Sequence, residues 1–256
     1  MQVSVIVPTY NEKENIESLI TQLLALLTGV HIIVVDDNSP DGTGEIADRL
    51  AVENAGRVSV IHRLGKLGLG TAYIAGFKEA LAEGADLVCS MDADFSHNPR
   101  DVPDIVDKIN QGYDLVIGSR YVRGGGSTQT LDRKVLSWSA NTITRELLGL
   151  HTHDTTAGFR CYRRQALEGL DLDNIKSSGY SFAFEMLFRV ERRGWKVGEV
   201  PIILPRAPHG GLQDLQERDC QGGEDGAVVG YRYPFAAAFP PMYPLLTKRS
   251  SLCCRC

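Results

Sequence analysis

Short apolar runs rich in Val and Ile alternate with segments of helical period through the first half of the chain, and that alternation constrains the fold most. Residues 3–7, 31–35, 58–62, 87–91 and 114–118 read as strands, and 16–27, 44–53, 71–83 and 102–111 between them as amphipathic helices. Strands that are apolar throughout belong inside a sheet covered on both faces, and helical crossovers between them make that sheet mainly parallel. The expected class is therefore α/β, a mainly parallel sheet with helices on both faces. Ligands of such sheets gather at the carboxyl ends of the strands.

Every notable polar cluster falls at those ends. Asn11 and Glu12 follow the first strand, 36–43 the second, 63–70 the third, 92–97 the fourth and 119–127 the fifth. The fourth loop is the most informative, because the apolar run ending at Met91 breaks into Asp92-Ala93-Asp94. Alternate residues of an extended chain share a face, so both carboxylates are able to point one way. Hard oxygen ligands of this kind suit Mg2+ or Mn2+ holding a diphosphate. A solvated turn with an N-cap is the plainer alternative for the same three residues.

The first loop, Pro8-Thr-Tyr-Asn-Glu12, suits a helix start, with Asn11 as N-cap and Glu12 near the positive helix end. It equally suits a nucleobase, with Tyr10 as a stacking face and Pro8 as a wall. In the second loop Asp41 is placed to cap the following helix, while the adjacent Asp36 and Asp37 point in opposite directions. One of that pair, Asp36, is expected to brace the loop, and Asp37 to take a base or ribose. Lys66-Leu-Gly-Leu-Gly70 offers backbone and a cation to a phosphate or ribose. It has neither the spacing nor the position of a dinucleotide fingerprint, and no Walker Lys-Ser/Thr pair.

Composition narrows the class further. With 256 residues, 43% hydrophobic and a formal charge of −5, the chain is sized for one domain with a core, and bulk nucleic-acid binding is not expected. No window offers about twenty uninterrupted apolar residues, and Met1 runs directly into a strand, so neither a span nor a signal peptide is expected. Cytoplasmic, reduced thiols are the corresponding expectation for the six cysteines, which lack a zinc-like pairing. Cys89 reads as strand packing and His97 as a loop or capping residue.

Taken in order, VPTYNE, VVDDNSPDGT, KLGLGTAYIAGF, MDADFSHNP, VIGSRYV, the 133–141 segment, DTTAGFRCYRR and GYSFAFEML followed by GEVPI resemble the family 2 glycosyltransferases. Within that family they resemble the dolichol-phosphate mannose synthases and their bacterial polyprenyl-phosphate relatives. The likeness covers about residues 1–203 and implies the GT-A fold, a GDP-mannose donor, dolichyl or polyprenyl phosphate as acceptor, and Mg2+ or Mn2+ as cofactor. Carried over position by position, it implies a donor site of Pro8, Tyr10, Glu12, Val35, Asp37, Asp92, Ala93, Asp94 and Arg120. Asp92 and Asp94 would hold the metal, with Ser96 standing where some relatives carry a Gln ligand. Arg120, Arg133 and Ser137 would receive the acceptor phosphate, and Asp94 with Arg120 would serve at the reacting centre.

The implied acceptor dictates the chemistry. A phosphate monoester is anionic near neutral pH and attacks an anomeric carbon without a strong base, so catalysis rests on alignment and charge neutralisation. One displacement inverts the sugar, giving a β-linked product, and no nucleophilic Ser or Cys is expected. Residues 154–160 and 180–193 fall where acceptor recognition is expected, although both suit scaffold; Phe182, Met186 and Val190 read as a packed helix face, and Glu185 as acceptor-side support. Location at the cytoplasmic face of a membrane follows, that of the endoplasmic reticulum if the source is eukaryotic, by peripheral contact or an anchoring partner subunit.

The resemblance stops after Ile203. Relatives continue with a basic loop of the type Arg-x-x-Gly-x-Ser-Lys, whereas 204–256 is a Gly-, Pro- and Cys-containing segment without helical or strand period. Codons permitted for residues 211–223 include a set whose next frame reads Gly-Ser-Lys-Ile-Ser-Lys-Arg-Glu, the missing motif, so a one-nucleotide slip near 204 is a specific expectation. Two other readings stay open: the same fold moving glucose or another sugar, and a nucleotide-sugar-binding protein impaired by its altered tail.

Overall fold

The computed structural model describes residues 1–175, 177 and 180–205. In chain order these form β1 (Val3–Thr9), α1 (Ile16–Leu26), β2 (His31–Asp36), α2 (Thr43–Glu53), β3 (Val58–His62), α3 (Leu69–Ala82), β4 (Leu87–Ser90), α4 (Val102–Asn110) and β5 (Leu115–Ser119). Then follow β6 (Gly126–Ser127), α5 (Leu131–Leu148), β7 (Arg160–Arg163), α6 (Arg164–Glu168), α7 (Tyr180–Arg192), β8 (Val197–Pro201) and β9 (Ile203–Leu204).

Seven strands make one sheet in the order β3-β2-β1-β4-β7-β5-β8, parallel except for β7, and β6 with β9 form a separate short parallel ladder. The expected GT-A architecture is thus present. Alternation along each strand divides the core. Val5, Val7, Ile32, Val34 and Cys89 pack with Leu19 of α1, Leu50 of α2 and Ile105 of α4, whereas Ile6, Ile33, Val35 and Val88 pack with Phe77 of α3 and Met186 of α7. Both faces are therefore apolar, which is why the strands carry no polar alternation.

Successive strands run outward from β1 to β2 and β3, after which β4 returns to the other side of β1. That reversal opens a crevice between the ends of β1 and β4, the place where open α/β sheets bind ligands. Because β7 is antiparallel, the loop entering it, 154–159, lies at the same edge as the carboxyl ends of its parallel neighbours.

Two local expectations change. Asn11 does not cap α1: it adopts a left-handed φ of 60°, and the helix begins four residues beyond Glu12, at Ile16. The bend brings the Glu12 amide within 2.9 Å of the Thr43 Oγ1, tying the first loop to α2, and Asn tolerates that conformation better than most residues. Regular pairing also runs one residue past 203, since Leu204 is in register with Ser127. The expected irregular segment from 206 onward, including the frame-slip peptide, lies outside the described residues.

Candidate active site

At the end of β2 the two adjacent carboxylates divide as their alternating directions predict. Asp36 turns into the scaffold: its Oδ1 accepts from Thr9 Oγ1 at 2.9 Å and Ser39 Oγ at 2.6 Å, and its Oδ2 accepts from the Ser39 amide. Asp37 faces the third loop, 3.0 Å from the Arg63 guanidinium, both side chains being almost fully buried. Burial pushes the Asp37 carboxyl above its ordinary value against the pull of Arg63. Asp41 does not occupy the expected cap of α2, where the N-cap is the left-handed Gly42; one residue earlier, it accepts from the Thr43 amide and hydroxyl and so braces the turn into the helix.

Around this pair the donor-side residues gather. Tyr10 is 39% exposed and offers its ring to the crevice, with the Lys66 ammonium 5.0 Å from its centroid. Glu12 accepts from Asn15 Nδ2 at 2.8 Å. Val35 is wholly buried against α3, and Ala93 is nearly so. Pro8 stands in register with Val35 across β1 and β2.

Beyond β4, Asp92 and Asp94 each spend one oxygen on the scaffold. The Tyr73 hydroxyl donates to Asp92 Oδ1 at 2.5 Å, and the Ser96 amide donates to Asp94 Oδ1 at 2.9 Å across the left-handed Phe95. His97 stabilises the same turn, because the Asp92 amide donates to its Nδ1 at 3.1 Å while its ring stacks on Phe159. Since Nδ1 accepts there, the 3.8 Å approach of Nδ1 to Asp92 Oδ2 is not a charge pair. Asp94 is exposed and Asp92 is about one-third exposed, so both carboxylates are open to a ligand. Among the described residues no group of three or more His, Cys, Asp or Glu converges. A divalent ion fits the two hard carboxylates only if diphosphate and water oxygens complete its shell.

The acceptor side forms around Arg120. Its Nε and Nη2 donate to the two oxygens of Asp154 at 2.7 Å each, and Nη2 also meets Thr156 Oγ1. Asp154 is completely buried; burial alone would raise its carboxyl, but the bonds and charge of Arg120 outweigh that and hold it below the ordinary value. Beside this pair lies a cavity of about 420 Å³, lined by Arg120, Tyr121, Gln129, Lys134, Ser137 and Trp138 among others. Ser137 Oγ and Tyr121 OH share a hydrogen bond of 2.9 Å. Arg133 lies on the same first turns of α5.

One loop joins the two halves. Asp154 and Thr156 hold Arg120, while Gly158 O accepts from Ser90 Oγ at 2.7 Å, and a Cβ at Gly158 would sit 3.8 Å from Asp92 Oδ2. Arg160, 2% exposed, fixes the loop's path by donating to the carbonyls of Thr155, Ala157 and Ala183. Arg163 reaches the Ile109 carbonyl and Arg164 the Leu81 carbonyl. All three arginines of this motif are thus scaffold. Glu185 is scaffold too, pairing with Arg189 at 2.5 Å and accepting from the Ser177 amide. Lys134 and Trp138 in the cavity and Tyr73 behind Asp92 escaped the sequence reading; Lys134 and Trp138 flank Ser137 in helical spacing, but Tyr73 carries no such signal.

A sequence model described as Glycosyl transferase family 2 matches residues 4–171. Polyprenol monophosphomannose synthase of Mycolicibacterium smegmatis is 48% identical over 201 residues, 78% of this chain and 76% of that protein. Undecaprenyl-phosphate mannosyltransferase of Micrococcus luteus is 43% identical over 230 residues, covering 90% and 91%. Among solved structures, glucosyl-3-phosphoglycerate synthase of Mycobacterium tuberculosis with UDP superposes with a TM-score of 0.61 at 23% identity, over 84% of this chain and 74% of that one. The same enzyme with Mn2+, UDP and phosphoglyceric acid gives 0.57 at 25%, over 84% and 73%. A reversed sheet order, a carboxylate pair at the reversal and these likenesses agree, and the chain belongs to glycosyl transferase family 2 as a glycosyltransferase of GT-A fold.

Proposed function

We propose that the chain transfers mannose from GDP-mannose to a polyprenyl phosphate, dolichol or its bacterial counterpart, with inversion. The observation that carries this reading is the 154–158 loop, which braces Arg120 at one end and lies against Asp92 at the other. Both relatives are named for mannose transfer to a polyprenol lipid, which supports the sugar and the acceptor class.

In this reading Tyr10 stacks on the base, and Asp37 accepts from it or from the ribose. Pro8 and Glu12 complete the wall, while Val35 and Ala93, being buried, serve through their backbone. Asp92 and Asp94 would hold Mg2+ or Mn2+, a metal use supported by the tuberculosis enzyme that carries Mn2+ with UDP; Ser96 adds a hydroxyl nearby. When bound, the metal neutralises charge on the departing diphosphate. The cavity beside Arg120 receives the acceptor phosphate, with Arg133 and Ser137 from α5. Arg120, oriented by Asp154, supplies positive charge where the phosphate oxygen attacks the anomeric carbon, and no side-chain base is required.

Membrane contact falls to α5 in this reading. Leu131, Val135, Leu136, Trp138, Ile143 and Leu147 are each more than half exposed along it, beside the acceptor cavity. Exposed apolar side chains so arranged suit a bilayer surface. Among the described residues no helix is long and apolar enough to cross a membrane. The α7 face stays in the core, with Met186, Leu187 and Val190 fully buried.

Radiolabelled transfer from GDP-mannose to a polyprenyl phosphate with Mn2+ or Mg2+ tests the reading, with UDP-glucose as rival donor. The transferase body is proposed to end near 203, so the frame-restored tail is assayed alongside. Mannose transfer by the restored chain alone supports the function and assigns the deficit to the tail. Preferred transfer from UDP-glucose, or none by either folded chain, overturns it.

A further inference from the structure

We infer that Tyr73 is a positioning residue for the metal-binding carboxylate Asp92, fixing it by a hydrogen bond so that the metal is bound through one oxygen. The inference rests on the reading of Asp92 as a metal ligand. Tyr73 belongs to α3 and to the apolar cluster that includes Phe77 and Phe182, yet its hydroxyl reaches 2.5 Å from Asp92 Oδ1, nineteen positions along the chain.

Three features make that contact more than packing. The ring belongs to a cluster of three, 6.1 Å from Phe182 with nearly parallel planes and 5.9 Å from Phe77, whose own centroids are 6.5 Å apart, so the hydroxyl has a defined direction. Gly70, one turn earlier, lies close under Phe182: a Cβ there would be 3.0 Å from its ring, tighter than ordinary contact. That close approach seats Phe182, and through it Tyr73. Finally, an ionised carboxylate only accepts, so the phenolic hydroxyl is the donor of the pair.

The chemistry is that of an outer partner to a metal ligand. A phenol donating to one carboxylate oxygen withdraws that oxygen from the metal, blocks a two-oxygen clasp and locks the carboxylate rotamer. His97 completes the arrangement from the other side by holding the Asp92 amide. Oδ2 of Asp92 would then be the oxygen left to hold a metal. Loss of such outer partners typically weakens metal binding about 10- to 100-fold.

Titration of the full-length chain with Mn2+ in the presence of GDP, followed by electron paramagnetic resonance of free Mn2+, tests this without any turnover. Tyr73→Phe keeps the stacked ring and is expected to weaken Mn2+ binding about 10- to 100-fold, with the melting temperature and metal-free GDP binding little changed. Phe182→Leu disturbs the stack but keeps the hydroxyl, and is expected to shift Mn2+ affinity far less. Equal Mn2+ affinity in wild type and Tyr73→Phe overturns the inference alone. So does a Tyr73→Phe loss of Mn2+ affinity matched by an equal loss of metal-free GDP binding, which would make the effect one of packing. A wild-type chain that binds no Mn2+ with GDP overturns the metal reading and this inference with it.

Discussion

Arg120 and Asp154 meet fork to fork, two hydrogen bonds of 2.7 Å joining a largely buried guanidinium to a fully buried carboxylate. A residue read as a phosphate ligand is therefore first of all a tethered one. Its orientation is set by the loop that also borders Asp92. Removing one member of a buried pair strands the other, so Asp154→Ala is expected to cost about 3 to 5 kcal/mol. Urea unfolding at neutral pH reads this directly, and a loss below about 1 kcal/mol, the level of an exposed pair, would show the pair to be solvated.

Acid should reveal the same contact. The folded Asp154 carboxyl lies below its ordinary value of 3.8, so the unfolded chain takes up the proton first as pH falls. Its contribution is complete above 3.8, declines below it and is gone once pH passes the folded value. Urea midpoints of wild type and Asp154→Asn, measured from neutral pH downward, should converge on the acid side. Curves that stay parallel through that range would contradict the assignment.

Gly76 lets α3 approach β1 closely, since a Cβ added there would lie 2.2 Å from Ile6 Cγ2. Helix propensity favours Ala over Gly by up to about 1 kcal/mol, while overpacking costs about 1 to 3 kcal/mol. Gly76→Ala is thus expected to lower the melting temperature. A rise would mean that α3 moves off the sheet without penalty.

Asp94 is exposed and makes one local contact to the Ser96 amide, so Asp94→Asn is expected to leave stability nearly unchanged. Transfer should fall by about two orders of magnitude or more, since metal stabilisation of leaving-group charge amounts to several kcal/mol. A melting curve and an initial-rate assay separate the two effects. Retained transfer would remove Asp94 from the metal site.

For α5, replacing Leu131, Leu136 and Leu147, which are exposed and lie outside the cavity lining, by Ser should reduce flotation with anionic vesicles while preserving transfer to a short-chain, water-soluble prenyl phosphate. Each fully buried side chain of this size contributes about 1.5 to 3 kcal/mol, and partial insertion less. Unchanged flotation would place the membrane contact elsewhere.

Much of this was legible in the sequence because it depends on local pattern. Continuous Val/Ile runs, buried on both faces, and helices with period 3.6 set the α/β class. Strand ends then placed Tyr10, Asp37, Asp92 and Arg120 at one sheet edge. Opposite directions at Asp36 and Asp37 follow from pleating alone. What sequence left open depends on contacts distant along the chain. Tyr73 and Asp92 meet only because α3 packs across β1 and β4. Glu185 and the arginines at 160, 163 and 164 were ambiguous until the carbonyls and carboxylates they meet were in place. Exposure of Trp138 was likewise undecidable, since an apolar helix stripe reads the same whether a sheet or a bilayer covers it; only tertiary packing, by burying Met186, Leu187 and Val190 of α7 and leaving apolar side chains of α5 exposed, distinguishes them.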